Sequence, residues 1–141
     1  MTLNKMKKKL QFDSKTSNLV KIRDFVSNLA SKAGFDEDSV NKIELAVDEA
    51  CSNVVKHAYP SGSDYKIDID IQYDDKKFVV KVKDRGKGFN PQNLGTPDIK
   101  SYLEKREVGG LGVHMMKELM DQVEFNIHPN KKNQVTLIKF K

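Results

Sequence analysis

The sequence predicts an α+β fold, a two-layer α/β sandwich whose mixed, mostly antiparallel sheet carries helices on one face. Three observations lead there. Two stretches with apolar residues three and four apart follow one another in the first sixty residues, separated by Gly34. Later runs of period two are joined in pairs by short polar turns, Asp74-Asp75-Lys76-Lys77 and Pro129-Asn130, as in hairpins. Strands connected so tightly leave no helix between them, so the helices gather on one side of the sheet.

Taken in order, Leu10 and Phe12 alternate with polar neighbours and predict a strand at 8–13. Ser17 or Asn18 caps a helix running to about Lys32, with Ile22, Phe25, Val26, Leu29 and Ala33 along one stripe and Gly34 as a left-handed terminator. Asp36 or Asp38 opens a second helix, apolar at Val40, Ile43, Ala46, Val47, Ala50 and Val54 and stopped by Pro60-Ser61-Gly62. Ile67, Ile69, Ile71 and Tyr73 alternate with polar residues and pair as a hairpin with a strand at 78–83. From Asn90 to Val108 the pattern dissolves around Pro91, Gly95 and Pro97, with a short helix expected near 98–105. A long irregular segment inside a compact domain suggests a lid, at about 90–109. A helix at 112–121 (Val113, Met116, Leu119, Met120 inward) and strands at 122–128 and 134–140 complete the chain.

The 141 residues contain no internal repeat and predict one domain, 1–141. No apolar run approaches the roughly 20 residues of a membrane span, and the basic start (Lys5, Lys7, Lys8, Lys9) lacks the apolar core of a secretion signal. The single Cys51 excludes an internal disulfide and a multi-cysteine metal site, so a cytoplasmic protein is expected. The net charge of +5 comes from scattered lysines with no nucleic-acid-binding signature beside them, and reads as a solvated surface.

Three groups of residues suggest chemistry. Glu49 and Asn53 stand four apart and share a helix face. Asn53 offers a hard oxygen suited to Mg²⁺, and Glu49 could take a proton from an attacking hydroxyl. Taken alone, the pair is more simply read as two solvated residues on an amphipathic helix. Asp84-Arg85-Gly86-Lys87-Gly88-Phe89 follows the strand at 78–83. Its carboxylate can accept from an exocyclic amine such as that of adenine, while Gly86 and Gly88 clear space for the base; an Asp before glycine is also ordinary turn chemistry. Gly109-Gly110-Leu111-Gly112 opens the third helix, where backbone N–H groups favour phosphate, with Lys105 and Arg106 just upstream. Neither a P-loop nor a Rossmann glycine pattern is present.

Together Glu49-Ala50-Cys51-Ser52-Asn53, Asp84-Arg85-Gly86-Lys87-Gly88-Phe89 and Gly109-Gly110-Leu111-Gly112 resemble the three nucleotide boxes of the gyrase, chaperone, histidine-kinase and mismatch-repair ATPase superfamily. The run from Glu44 to Tyr59, and Leu119-Met120-Asp121-Gln122-Val123-Glu124-Phe125, are most similar to its stand-alone bacterial branch, the anti-sigma-factor serine kinases. The resemblance implies a Bergerat-type ATP-binding fold with ATP and Mg²⁺ as cofactors. It implies that Asn53 holds the metal, that Glu49 is the base, and that Asp84 takes the adenine amine with Gly86 and Gly88 lining the base. Gly110 and Gly112 would contact phosphates, Arg106 would reach the terminal one, and Thr136 would support the adenine end. The implied activity is phosphorylation of a serine on a small anti-anti-sigma antagonist, coupled to sequestration of a sigma factor, with a homodimer as a further expectation. The alternative is a non-catalytic, ATP-dependent binding module of the same fold. Two departures stand out. The chain has no helical domain with a phosphoacceptor histidine, since His57, His114 and His128 are isolated. Asn133-Gln134-Val135-Thr136 also lacks the glycine that usually precedes the threonine.

Overall fold

Five strands lie in one sheet in the order β1-β2-β3-β5-β4. The structure, a computed structural model, describes residues 5–58, 65–86 and 109–141. Along the chain these form β1 (Met6–Asp13), a 3₁₀ turn (Thr16–Asn18), α1 (Leu19–Lys32), α2 (Glu37–Asn53) and a π-helical turn (Val54–Ala58). Then follow β2 (Lys66–Tyr73), β3 (Lys77–Asp84), α3 (Gly109–Leu119), β4 (Gln122–His128) and β5 (Lys132–Phe140). The sheet is not mixed: every pairing among the described residues is antiparallel.

Alternation decides which face is covered. Ile67, Ile69 and Ile71 of β2, Phe78, Val80 and Val82 of β3, and Val135 and Leu137 of β5 all point one way. They close one core with Ile22, Val26 and Leu29 of α1, Ile43, Val47 and Ala50 of α2, and Met116 of α3. The other face is mostly polar, crossed by a Gln11 Nε2 to Asp68 Oδ1 hydrogen bond of 2.8 Å and a Lys83–Asp70 ion pair of 2.5 Å. The helices therefore occupy one layer, as their own patterning requires. No described helix is long and apolar enough to cross a membrane.

The element ends have local causes. Asn18 stands at the head of α1, but its amide donates to the Asp13 carbonyl at 2.8 Å instead of capping, so it ties the helix to the end of β1. α1 closes as expected on Gly34, at φ 95°, with Gly34 N donating to Ser31 O at 3.0 Å and Phe35 N to Ala30 O at 3.3 Å. That pair of bonds is a Schellman motif, which needs a residue free to adopt the left-handed conformation. Asp36, not Asp38, caps α2, accepting from Ser39 N at 2.8 Å. In the β2–β3 turn Asp74 Oδ1 takes the backbone N–H groups of Lys76 and Lys77 at 2.8 and 3.0 Å.

Three elements start two or more residues earlier than the sequence expectation. β1 begins at Met6 and lies at the sheet edge, where Leu10 is largely exposed instead of buried. α3 begins at Gly109, three residues early, so the glycine cluster forms its first turn. β5 begins at Lys132, two residues early, a shift with consequences for the site. The stop at Pro60-Ser61-Gly62, the helix near 98–105 and the lid, apart from Gly109, lie outside the described residues.

Candidate functional site

The helix-side end of β3 and the C-terminal half of α2 hold most of the described candidates. On α2 the apolar stripe Ala46, Val47, Ala50 and Val54 is pressed on the core, which sets Glu49 and Asn53 together along its flank. Asn53 is 5% exposed, and its Oδ1 is buried with no hydrogen-bond partner among the described residues; the same holds for Glu49 Oε2. Burying such an acceptor unpaired costs about 1–3 kcal/mol, so two of them one turn apart call for ligands. Both are hard oxygens, which suits a divalent cation with its waters. No group of three or more His, Cys, Asp or Glu able to hold a metal occurs among the described residues. Burial pushes the Glu49 carboxyl above the ordinary carboxylate range; Lys56 pulls it back and Asp48 adds to the rise. α1 is tied to the opposite flank of α2: Arg23 reaches Asp48 at 3.1 Å and Glu44 at 3.8 Å, and Ser27 Oγ donates to Glu44 Oε2 at 2.7 Å.

Asp84 ends β3 on the inward face, 7% exposed. Among the described residues both hydrogen bonds to its carboxylate fall on Oδ1, from Gly86 N at 2.8 Å and from Asn133 Nδ2 at 3.0 Å. Asn133 Nδ2 also donates to Gly86 O at 2.8 Å, and Asn130 N reaches the same oxygen at 2.7 Å. Asn133 Oδ1 in turn accepts from His128 N at 3.1 Å. The β4–β5 hairpin is thus bonded directly to the turn after β3. Asn130, at φ 62°, supplies the left-handed residue that this hairpin turn needs.

Sequence reasoning passed over Asn133, although it is only 2% exposed. A signal was present: Val135 and Leu137 mark the inward parity of β5, and Asn133 shares it. The expectation for Thr136 needs correction. It pairs with Lys81 of β3 and Glu124 of β4, on the face opposite Asp84, and its hydroxyl accepts from Gln134 Nε2 at 3.1 Å. It lies three positions on from Asn133, and an odd offset on a strand reverses the face. Gly86 is buried beside Asp84 and donates its N–H to the carboxylate. Gly110 and Gly112 fall in the first turns of α3, which packs against α2. Gly88 and Arg106 lie outside the described residues.

An antiparallel sheet under one layer of helices thus carries an acceptor pair on one helix and a buried Asp at a strand end. The chain belongs to the histidine kinase-like ATPase domain family, whose profile matches residues 12–139. Its curated relatives include serine-protein kinase RsbW of Listeria monocytogenes, 34% identical over 103 residues (70% of this chain, 66% of the relative). RsbW of Bacillus subtilis is 32% identical over 111 residues, covering 76% and 69%. The match therefore spans about two thirds of the length of these kinases. Two solved structures share the fold. The RsbU and RsbW domains of a Mycobacterium tuberculosis protein match with a TM-score of 0.66 at 18% identity, over 94% of this chain and 32% of that one. The SiaB–SiaC complex of Pseudomonas aeruginosa matches at 0.64 and 13%, over 92% and 88%.

Proposed function

We propose that this chain is an ATP-dependent protein serine kinase of a partner switch. It transfers the terminal phosphoryl group of Mg²⁺-ATP to a serine of a small anti-anti-sigma antagonist, and it sequesters a sigma factor when the antagonist is not bound. The observation that supports this reading most is the pair of buried, unpartnered acceptors Glu49 Oε2 and Asn53 Oδ1 on one flank of α2. The curated relatives, named as serine-protein kinases, point the same way.

The roles follow from the chemistry of each group. Asn53 would hold Mg²⁺, which neutralises charge on the phosphates. Glu49 accepts the proton of the substrate serine as that oxygen bonds to the γ-phosphorus; the bond from phosphorus to the β–γ bridging oxygen breaks, and ADP leaves with its electron pair. A carboxyl lifted by burial is a better base near neutral pH than a fully solvated one. Asp84 accepts from the adenine amine, Gly86 and Gly88 make room for the ring, and Gly110, Gly112 and Arg106 serve the phosphates.

The test is phosphotransfer from labelled Mg²⁺-ATP in a lysate of the protein's own source, wild type beside Glu49→Ala. Wild type should label one small protein on serine, and the variant should bind ATP normally yet transfer about 10²–10⁴-fold more slowly. Equal transfer by the variant would remove Glu49 as the base. Tight ATP binding with no labelled protein would favour the non-catalytic binding module instead.

A further inference from the structure

We infer that Asn133 is the positioning residue that makes Asp84 selective for an adenine amine. The inference rests on the nucleotide reading above and assigns a role to a side chain outside the three motifs. An Asn at an inward position of a central strand, 2% exposed, is costly unless its amide is fully used. Here it is. One N–H₂ group bridges Asp84 Oδ1 and Gly86 O, and the amide oxygen accepts from His128 N. That last bond fixes which end of the amide is the donor, because a flipped amide would set an acceptor against both Asp84 and Gly86.

Two consequences follow for base choice. Two donors on Oδ1 fix the plane of the carboxylate, so Asp84 presents its other oxygen as an acceptor in a set direction. An acceptor matches the exocyclic amine of adenine; at that place on the ring guanine carries a carbonyl, which would meet the carboxylate as a second acceptor. The bond to Gly86 O holds the turn that flanks the base at a set distance from Asp84. Discrimination by unpaired polar groups is the strong kind, worth far more than a fit of apolar surface.

The test titrates Mg²⁺-ATP and Mg²⁺-GTP against the full chain, as wild type, Asn133→Ala and the nearly isosteric Asn133→Asp. Wild type should prefer ATP. Asn133→Ala should lose about 10–100-fold in ATP affinity and narrow the ATP-to-GTP ratio. In Asn133→Asp the new carboxyl faces Asp84, and a donor to Oδ1 exists only where the pair holds a shared proton and is lost where both are ionised. Its ATP affinity and preference should recover on acidification, when that proton restores a donor to Oδ1, while wild type serves as control for Arg85 and His128 nearby. Packing alone predicts lower stability with the base preference unchanged and no such recovery; that result would overturn the assignment. Wild type failing to bind ATP would instead defeat the nucleotide reading itself, and this inference with it.

Discussion

Glu49 sits where a carboxylate is poorly solvated, and this has a price in stability. Burial lifts its folded-state pKa above the ordinary 4.5. Folding therefore favours the protonated form: the stability is fully present below about the unfolded value and is lost as pH rises through the folded one. Glu49→Gln, neutral and of the same shape, should melt higher than wild type at neutral pH, with the difference closing as pH falls through the raised folded value toward 4.5. Equal melting temperatures at neutral pH would mean that the carboxylate is well solvated. Glu49 and Asn53 were legible in the sequence because helical spacing fixes relative position without knowledge of the fold. Asn133 was not, since it sits beside Lys131 and Lys132 in a run that looks like a turn. Only the register Asp84 to Asn133 shows that β5 has already begun and that Thr136 faces away.

At the scale of elements, periodicity found every strand and helix of the described residues, and the misses are at ends. Gly109 and Gly110 are poor helix formers, yet they lie inside α3, whose packing on α2 outweighs local preference. Asn18 offered a capping side chain and used it to hold the Asp13 carbonyl instead. Gly34 was read correctly because its requirement is local: a left-handed φ at a helix end. Gly34→Ala places a side chain in that conformation. The nearest atom to the new Cβ is the mobile end of Lys141 at 3.2 Å, so backbone strain, not crowding, sets the cost at about 1–2 kcal/mol. Urea unfolding should show a lower midpoint with the slope unchanged; an unchanged midpoint would mean that the turn relaxes to another conformation.

Across the whole molecule, two layers share one core, and the described site residues are attached to both: Asp84 and Asn133 to the sheet, Glu49 and Asn53 to the helices. A nucleotide contacting both sets would couple to global unfolding. At about 100 times its Kd, Mg²⁺-ATP should add about 2.7 kcal/mol, a rise in melting temperature on the order of 10 °C for a chain of this size. Calorimetry with and without nucleotide measures it, and no rise despite saturation would mean that the unfolded chain binds equally well. The strand order has a consequence for synthesis. β5 is last in sequence but lies between β3 and β4, so the open flank of β3 stays without its neighbour until residues 132–140 emerge. At translation speeds of roughly 5–20 residues per second, that flank waits for seconds after Asp84 has been made. Asn133 reaches Asp84 only at the end of that wait, so in a nascent chain the end of β3 stays untied to the β4–β5 hairpin until the sheet is closed.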